Sequence, residues 1–398
     1  MNRVEIAIKA LQKGEMIVLT DDIDRENEGD VVFSAESTTP EKINFMIRNC
    51  GGLICLTLLE EQIKKMGITL LAPYAENTTL QNTPFAMPID AKSGTTGVSA
   101  SDRALTILTA IKENVEPHEL VKPGHVFPLQ AQKNGVYERR GHTEGSVDLM
   151  RLAELKPAAV ICEIMNVDGT MAHGRLLQEF AEKNKLPIVS IEEILEYRLM
   201  HENQINDAAS TMIPVDDSNE FIMKVHEEKF FNKKHVSMYI APKDNTKPLL
   251  VRIHSACLTG DIFKSARCDC HAQLNYSLEK IKEEGGLLIY LEQEGRGIGL
   301  VNKIKAYALQ DQGMNTIEAN LHLQLPIDAR KYYAAAHILK NRGIDAIRLL
   351  TNNPEKIAEI KKYGIETVKQ ECLPTFSNIH NLKYLQTKKR NLKHALSV

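Results

Sequence analysis

Hydrophobic positions along the first half of the chain follow two spacings, one typical of helices and one typical of strands. Residues 4–13 carry Val4, Ile8 and Leu11 at helical spacing and end at Gly14. The run EMIVLT then predicts a strand, and DVVFSA predicts a second strand beyond an acidic turn. PEKINFMIRNC predicts a helix opened by proline, GGLICLTLL a buried strand, and AAVICEIMN a further strand. Strands and helices therefore follow each other through this half.

A polar stretch with weak periodicity, NQINDAASTMIPVDDSNEF, separates this half from a second one. The segment LPIVSIEEILEYRLMHE before it predicts a closing helix. Beyond it, EFIMKVHE, VSMYIAP, LLVRIHS, GGLLIYLEQ and IDAIRLLT predict strands, with helices between and after them. Since alternation in both halves is typical of layered α/β proteins, we predict a mixed α/β (α+β) chain of two tandem domains, residues 1–203 and 204–398. A chain of 398 residues also exceeds the usual size of a single core.

Composition excludes several classes of protein. The net charge of −3 supplies no large single-sign field for nucleic acid. No run of about eighteen uncharged apolar residues occurs, so we expect no membrane span. The N-terminal residues carry charges throughout, unlike a signal peptide. Seven cysteines are odd in number and sparse for the length, which favours thiols or metal ligands over disulfides. We expect a cytoplasmic protein.

The segment HSACLTGDIFKSARCDCH contains three closely spaced cysteines, Cys257, Cys268 and Cys270. On an extended segment the last two point the same way and can hold one ion. Three small buried side chains are the alternative, but the charged residues of this loop do not suit a core. We therefore favour a metal site, in which zinc on three thiolates would leave one position open. His271 as a fourth ligand would instead close the site, and spacing leaves this choice open.

Groups suited to a nucleoside triphosphate surround the cysteines. Arg252 ends the strand before them, and YLEQEGRGIGLVNKI predicts a strand, a glycine-rich turn and a helix whose N–H groups can face an anion. The turn is not a dinucleotide fingerprint, because Leu300 occupies the place of the third glycine. Asp328 and Arg330 in LPIDARKYY would share a face in an extended turn. A helix cap with a surface arginine is the alternative, and these two residues taken alone favour it.

The segments VRIHSACLTGDIFKSARCDCHAQL, LEQEGRGIGL, NTIEANL, DAR and LLTNNPEKI together resemble GTP cyclohydrolase II over roughly residues 208–398. The resemblance implies zinc on Cys257, Cys268 and Cys270. It also implies hydrolysis of GTP to 2,5-diamino-6-ribosylamino-4(3H)-pyrimidinone 5′-phosphate, formate and diphosphate. Asp328 is implied as the proton acceptor and Arg330 as the group that attacks the α-phosphate. The implied GTP contacts are Arg252, Ile253, His254, Ser255, Ala256, Gln273, Glu294, Gly295, Arg296, Thr316, Thr351 and Lys356.

The acidic turn TDDIDRENEGD of the first half carries six acids, Asp21, Asp22, Asp24, Glu26, Glu28 and Asp30. A solvated loop is the simple alternative. Six acids with one arginine repel each other unless a cation or substrate offsets them, and magnesium needs only one or two of these carboxylates.

Candidate partners of this turn lie downstream. YERRGHTEGSVDLMRLA offers Arg139 and Arg140 for a phosphate, next to His142. His125 stands between two prolines in KPGHVFPL, and Glu163 ends a buried strand, where a carboxylate is costly without a partner. A lone histidine is more often structural than a ligand, so spacing alone does not assign these residues.

With SGTTGVSASDRALTI and ICEIMNVDGTMA, these segments resemble 3,4-dihydroxy-2-butanone 4-phosphate synthase over roughly residues 1–200. The resemblance implies conversion of ribulose 5-phosphate to L-3,4-dihydroxy-2-butanone 4-phosphate and formate with magnesium or manganese. Glu26 and His142 are implied as ligands of this ion. His125 and Glu163 are implied as the acid–base pair, and Cys55 and Thr96 as lining residues. The implied substrate contacts are Arg25, Glu26, Asp30, Arg139, Arg140, Gly141, His142, Thr143 and Glu163.

The order of the two domains resembles the bifunctional enzyme of riboflavin biosynthesis, which implies a homodimer acting on small molecules, with no nucleic-acid or membrane partner. Ala256 stands where the cyclohydrolase family usually has glutamate, and Tyr333 and Ala335 stand where it usually has glycine. One alternative is therefore an active synthase with a zinc-binding but weakly active or regulatory cyclohydrolase-like domain. Another is a zinc-stabilised nucleotide-binding module without catalysis.

Overall fold

The chain forms two compact units, Met1–Arg198 and Leu199–Val398. The computed structural model describes residues 2–22, 25–217, 219–392 and 395–397. Each unit contains a seven-stranded sheet with accompanying helices, which confirms the predicted mixed α/β class. Among the described helices, none combines the length and the apolar composition that crossing a membrane requires.

The sheet of the first unit is mixed, with the strand order β4-β5-β3-β6-β2-β1-β7. Its strands are β1 (Ile17–Thr20), β2 (Gly29–Ser34), β3 (Cys55–Leu59), β4 (Ile89–Ala91), β5 (Leu120–Ala131), β6 (Ala159–Glu163) and β7 (Ile188–Ser190). Its helices are α1 (Arg3–Gln12), α2 (Pro40–Asn49), α3 (Glu60–Lys65), α4 (Ala100–Ala110), α5 (His142–Leu152), α6 (Arg175–Asn184) and α7 (Ile191–His201), the last of which contains the division between the units.

The buried central strands of this sheet hold the beginning of helix α5 inside the protein. Every residue of β2 is buried, and so are most of β3 and β6. Helix α5 contacts these strands and buries nine consecutive residues, His142–Met150. A helix covered on all sides is typical of a core position. His142, the first residue of α5, is therefore held inside the protein next to the sheet.

The sheet of the second unit has the order β14-β13-β11-β12-β10-β9-β8. Its strands are β8 (Ile205–Asp216), β9 (Asn219–Glu228), β10 (Lys234–Ile240), β11 (Leu249–Ser255), β12 (Gly286–Leu291), β13 (Ala346–Leu350) and β14 (Glu366–Glu371). Its helices are α8 (Cys270–Glu284), α9 (Leu300–Asp311), α10 (Thr316–His322), α11 (Tyr333–Asn341), α12 (Pro354–Lys362) and α13 (Leu382–Leu392). Strands β11 to β14 are parallel, so their carboxyl ends share one edge, the usual place for a ligand.

Two segments differ from the elements that the sequence predicts. The polar stretch after residue 203, for which the sequence predicts no element, forms β8, a long edge strand paired with β9. Most of its described side chains are exposed, so it lacks the alternation of a half-buried strand. The segment LPIVSIEEILEYRLMHE begins with the short strand β7, which pairs with β1, before α7 starts. Three residues are too few to produce a periodic signal.

His337 on α11 gives the second unit a pH-dependent stability. Its Nδ1 accepts a hydrogen bond from the Gln204 backbone N–H at 3.2 Å, and burial lowers the pKa of His337 to about 4. The unfolded chain, with an ordinary pKa near 6.5, binds this proton first as the pH falls. We therefore expect the free energy of unfolding to drop by about 2 kcal/mol between pH 7 and pH 5 on account of His337.

Urea denaturation of the full chain at both pH values measures this drop. The variant His337→Gln cannot titrate at this position, so it should lose less stability on acidification than the wild type. Equal losses in both proteins would contradict the assignment.

Candidate active sites

Two carboxyl groups lie side by side at one edge of the first sheet. Asp30 on β2 is paired in register with Glu163 on β6, and the Leu53 backbone N–H donates to Glu163 Oε2 at 2.9 Å. Burial raises the pKa of Asp30 well above its ordinary value, and the neighbouring Glu163 raises it further. Burial also raises the pKa of Glu163. Adjacent carboxyls in a poorly solvated place tend to keep one proton between them, which suits acid–base chemistry.

A metal-competent cluster lies beside these carboxyls. One ligand atom each from Asp21, Glu26 and His142 lie within 4.8 Å of one another. His142 Nε2 is buried and has no hydrogen-bond partner among the residues that the structure describes. Burial, together with the charges of Arg25 and Arg139, lowers the pKa of His142 to about 4, so its ring is neutral at neutral pH. Two carboxylates and a neutral imidazole suit a divalent cation.

The sequence singled out Glu26 and His142 for this cluster and placed Asp21 only in the acidic turn. Asp21 fixes the turn, because its two oxygens accept from the backbone N–H groups of Glu28 at 2.8 Å and Glu26 at 3.2 Å. Asp24 lies outside the described residues. Asp21 thus shapes the loop and also lies near His142, which belongs to a distant helix. Sequence spacing does not distinguish Asp21 from the neighbouring acidic residues.

The three arginines predicted to bind substrate have different partners. Arg25 Nη1 lies between Asp21 Oδ2 at 2.6 Å and Glu26 Oε2 at 2.5 Å. Arg139 pairs with the fully buried Glu144 at 2.6 Å and donates to backbone and hydroxyl oxygens. Arg140 is half exposed and contacts Glu192 at 3.1 Å. Arg139 therefore acts as internal scaffold, whereas Arg140 can reach a ligand.

The N-terminus of α5 offers a second anion-binding feature next to Arg140. Gly141 caps the helix, and Thr143, its second residue, is buried. Because the first backbone N–H groups of a helix have no partner within it, they favour a phosphate at this end.

His125 reaches the same sheet edge on β5. Its ring Nδ1 lies 2.7 Å from Asp90 Oδ2, and its backbone N–H donates to Asp90 Oδ1 at 2.9 Å. Cys55 on β3 is in register with Phe127 on one side and Ile161 on the other. His125 precedes Phe127 by two residues, and Glu163 follows Ile161 by two residues. Continuing both registers by two residues therefore places His125 and Glu163 on either side of residue 53.

The predicted acid–base pair is thus separated by two strand spacings, or about 10 Å. No direct hydrogen bond joins the two groups within the described residues. Asp90, which orients His125, was missed by the sequence reasoning, because it lies on another strand, 35 residues before His125.

The two residues implied to line this pocket differ in exposure. Burial raises the pKa of Cys55 well above its ordinary value, and Glu163 and Asp30 raise it further, so this thiol is neutral. Thr96 is exposed in the loop after β4. Cys55 is therefore adjacent to the paired carboxyls, as its implied role requires.

The second unit brings its three predicted cysteines together at the end of β11. The Sγ atoms of Cys257, Cys268 and Cys270 all lie within 4.8 Å of one another, and those of Cys257 and Cys268 are 3.8 Å apart. Four ligands at about 2.3 Å in a tetrahedron would be about 3.8 Å apart, so these thiols fit zinc. Hydrogen bonds from Cys268 and Cys270 lower the pKa of Cys257, while Cys257 raises the pKa values of both neighbours. Deprotonation of all three thiols together therefore requires a nearby cation.

The side chains around the thiol cluster indicate how many ligands it offers to a metal. Lys303 Nζ lies 3.1 Å from Cys257 Sγ and 2.8 Å from Glu294 Oε1, and the sequence reasoning missed it. His271 Nδ1 contacts the Asp261 carbonyl at 3.1 Å, and its Nε2 contacts Asn275 Nδ2 at 3.0 Å. Both ring nitrogens of His271 thus face away from the thiols. This geometry favours three sulfur ligands and an open position.

Gly260 provides a test of the thiol cluster. A Cβ at residue 260 would lie 2.7 Å from Cys268 Sγ and 3.0 Å from Cys257 Sγ. We expect Gly260→Ala to weaken zinc binding by about tenfold to a hundredfold, as displacing groups that support metal ligands commonly does. Zinc content after dialysis against a graded chelator measures this. Ser265→Ala, in the same loop, should keep its zinc, and an unchanged affinity in Gly260→Ala would contradict the geometry.

A cationic cleft opens beside the thiols. Burial lowers the pKa of Arg252 to about 10, and burial with the charges of Arg252 and Arg330 lowers the pKa of Lys356 well below its ordinary value. None of the described carboxylates forms an ion pair with Arg252, Arg296 or Lys356. Buried cations without an opposite charge are costly, so the cleft favours a polyanion.

Asp328 and Arg330 lie in a non-helical turn before α11 and form a bidentate pair. Arg330 Nε donates to Asp328 Oδ1 at 2.8 Å, and Arg330 Nη2 donates to Asp328 Oδ2. Although burial acts against both charges, this pairing lowers the pKa of Asp328 and, with nearby phenols, raises that of Arg330. The extended-turn interpretation therefore holds over a cap and a surface arginine.

The remaining predicted GTP contacts are distributed as follows. Arg252 Nη2 donates to Gln273 Oε1 at 2.7 Å, and His254 Nε2 lies 3.1 Å from Asp261 Oδ1. Ile253 is fully buried and does not line the cleft, although its carbonyl accepts from Lys356 Nζ at 2.7 Å. The predicted contacts that line the cleft are Arg252, His254, Ser255, Ala256, Gln273, Glu294, Gly295, Arg296, Thr316, Thr351 and Lys356.

The departures from the family pattern have defined surroundings. Ala256 lines the cleft without a carboxylate. Tyr333 and Ala335 lie in α11 with no positive φ, so this backbone needs no glycine. The Tyr333 hydroxyl donates to Glu228, which also contacts His235 at 2.8 Å. Tyr333 therefore completes a buried polar network rather than entering the turn of Asp328 and Arg330.

Comparison with known proteins identifies a family for each half of the chain. The family model for 3,4-dihydroxy-2-butanone 4-phosphate synthase matches residues 5–197, and that for GTP cyclohydrolase II matches residues 206–372. The riboflavin biosynthesis protein RibBA of Aquifex aeolicus is 47% identical over 400 residues, covering 99% of this chain and 97% of the relative. RibBA of Cytophaga hutchinsonii is 43% identical, covering 100% and 98%.

A crystal structure of RibBX, described as a two-domain 3,4-dihydroxy-2-butanone 4-phosphate synthase from A. baumannii, is also similar to the whole chain. It is 31% identical with a TM-score of 0.65, covering 94% of this chain and 99% of that one. The chain therefore belongs to the RibBA family of riboflavin biosynthesis proteins, with a synthase domain followed by a GTP cyclohydrolase II domain.

Proposed function

We propose that the first unit converts ribulose 5-phosphate to L-3,4-dihydroxy-2-butanone 4-phosphate and formate, and that the second hydrolyses GTP. One observation carries this proposal: each unit contains a site whose chemical groups suit one of the two reactions. An oxygen and imidazole cluster lies beside two buried carboxyls with raised pKa values, and a thiol cluster lies beside a cationic cleft.

In the synthase site, Asp21, Glu26 and His142 would hold magnesium or manganese, because their donors suit a hard divalent cation. The ion, when bound, supplies positive charge for substrate oxygens. Glu163 and Asp30 hold and move the proton next to the substrate carbonyl, since burial raises the pKa of each.

The other predicted residues of this site complete the reaction. His125, fixed at Nδ1 by Asp90, transfers a proton from its other ring nitrogen at the opposite end of the substrate. The separation of about 10 Å from Glu163 leaves room for a five-carbon sugar between the two groups. Arg140 and the N-terminus of α5 bind the phosphate.

In the cyclohydrolase site, the thiolates of Cys257, Cys268 and Cys270 would hold zinc, which supplies an acidified water for attack on the guanine ring. Arg252, Arg296 and Lys356 bind the triphosphate, whose negative charge gives these cations the ion-pair partners that the described carboxylates do not supply. Attack by Arg330 on the α-phosphate would form an N–P bond, break the bond to the β-phosphate and release diphosphate. Asp328, paired with Arg330 Nε, is placed to accept the guanidinium proton as the N–P bond forms.

A second candidate is a synthase whose cyclohydrolase-like domain binds zinc but turns over GTP weakly. Ala256 favours it, because a carboxylate usual in the family is absent from the cleft. The variant Ala256→Glu separates the two candidates. A large gain in formate release from GTP would support the second, whereas an unchanged rate would support full activity of the natural protein.

Formate release from ribulose 5-phosphate and from GTP, measured on one purified sample with its metal content, tests the proposal as a whole. We expect both reactions at ordinary enzymatic rates and about one zinc per chain. Absence of either reaction from a fully metallated sample would contradict the corresponding half. Light scattering on the same sample would test the homodimer, which stays a prediction.

A further inference from the structure

Helix α13 has a strongly basic sequence, LKYLQTKKRNL, yet three of its described side chains face inward. Leu385 is fully buried, and Tyr384 and Lys388 line the cationic cleft. The family model for the cyclohydrolase domain ends at residue 372, before this helix. The inward orientation of these side chains indicates a function that the amino-acid composition of α13 does not predict.

Lys388 is tied to the loop that carries the thiols. Its Nζ lies 3.2 Å from Asp269 Oδ1, between Cys268 and Cys270 in sequence. Asp269 Oδ2 accepts from Gln273 Nε2 at 2.6 Å, and Gln273 Oε1 accepts from Arg252 at 2.7 Å. The ammonium group, which has three donors, is thus aimed into the cleft and contacts a single carboxylate among the described residues.

The ring of Tyr384 lies among several cations. Lys388 Nζ is 4.3 Å from its centroid, and the Arg296 guanidinium is 5.5 Å away. Tyr384 also contributes to raising the pKa of Arg330, so that guanidinium is near as well. A ring face holds cations in place by its quadrupole but does not neutralise them. The position beside Tyr384 therefore still favours an anionic group.

The chain on both sides of α13 is fastened to the same unit. Asn381, fully buried, donates from Nδ2 to the Phe376 carbonyl at 2.9 Å. Beyond the helix, the Ala395 backbone N–H donates to the Asn352 carbonyl at 2.9 Å, and Leu396 is buried. These contacts hold α13 against the cleft.

We propose that α13 forms a wall of the nucleotide site, with Lys388 binding the phosphates of GTP and Tyr384 holding Lys388 and Arg296 in position. This inference rests on the proposed cyclohydrolase function of the second unit. It adds two ligand-positioning residues that lie outside the segments carrying the family resemblance.

Calorimetric titration of the full-length protein with a non-hydrolysable GTP analogue, and separately with guanosine, tests the role of Lys388. Lys388→Met should raise the Kd for the analogue by about tenfold to a hundredfold, the usual loss for a charge-assisted hydrogen bond. Guanosine binding and zinc content should not change. The matched control is Lys389→Met, at an exposed position of the same helix that does not line the cleft.

Substitution of Tyr384 tests the positioning role. Tyr384→Phe keeps the ring face and should bind the analogue like the wild type, whereas Tyr384→Ala should bind it several-fold more weakly. Hydrogen exchange of the wild type gives a readout without any substitution. The amides of α13 should exchange more slowly when the analogue is bound.

The outcomes are distinguishable. If the wild type does not bind the analogue, both the proposed cyclohydrolase function and this inference fail. If the wild type binds it but Lys388→Met binds it equally well, or α13 exchange is unaffected by the analogue, only the inference fails. Loss of zinc in Lys388→Met would also overturn the inference, because Lys388 would then act through Asp269 on the thiol loop.

Discussion

Cys268→Ser is expected to abolish formate release from GTP while leaving formate release from ribulose 5-phosphate unchanged. Serine keeps the size of the side chain but is a poor zinc ligand, so the metal should be lost. A Lewis acid contributes several kcal/mol to such a reaction and each 1.36 kcal/mol is tenfold in rate, so we expect a loss of about a thousandfold or more.

The chain offers a matched control for this substitution. Cys372 is an exposed free cysteine in the same unit and does not line the cleft. Cys372→Ser should keep both activities and its zinc. Retention of GTP hydrolysis in Cys268→Ser, with zinc lost, would show that the thiol cluster is not the catalytic centre. Unfolding of the second unit on zinc removal would instead favour a structural zinc module.

Glu26→Gln is expected to have the opposite selectivity. The amide is isosteric but neutral, so the cluster with Asp21 and His142 loses one of its two negative charges and binds a divalent cation less tightly. We expect formate release from ribulose 5-phosphate to fall by about a hundredfold or more, the scale of losing electrostatic stabilisation of a developing charge. GTP hydrolysis should remain at the wild-type rate.

Added metal distinguishes a binding defect from a chemical one. A binding defect in Glu26→Gln should be partly rescued by high magnesium or manganese, whereas a defect elsewhere should not respond. Glu179→Gln, on the exposed face of α6, removes a carboxylate of the same unit without touching the cluster. Wild-type synthase activity in Glu26→Gln at low magnesium would contradict the assignment of this ligand.

Residues close together in sequence were the ones that sequence reasoning could assign. The C-x10-C-x-C spacing predicts the thiol cluster, because Cys268 and Cys270 are separated by one residue and Cys257 ends the neighbouring strand. The pairing of Asp328 with Arg330 was likewise a local question, which depended only on whether their turn was helical.

Supporting residues from distant elements could not be assigned in this way. Lys303 approaches Cys257 from α9, 46 residues later, and Lys388 approaches Asp269 from α13, 119 residues later. Their neighbours in sequence are ordinary helical residues, so no spacing rule marks them. Which helices border the cleft depends on how the chain packs around the parallel strands, and sequence spacing does not show this packing.

The fold was predictable where periodicity is strong and not where strands are polar or short. Helix α2 begins at Pro40, as the sequence predicts, and Thr39 caps it. The sequence does not predict strand β8, because exposed polar residues dominate its composition. Its pairing with β9 supplies the hydrogen bonds that its side chains do not indicate.

Anomalous scattering from crystals of the metal-loaded protein, collected on both sides of the zinc absorption edge, tests the central claim most directly. The account predicts one zinc peak per chain, about 2.3 Å from each Sγ of Cys257, Cys268 and Cys270. It also predicts no zinc-edge signal among Asp21, Glu26 and His142 in protein loaded with magnesium. A peak elsewhere, or none among the three sulfur atoms, would contradict it.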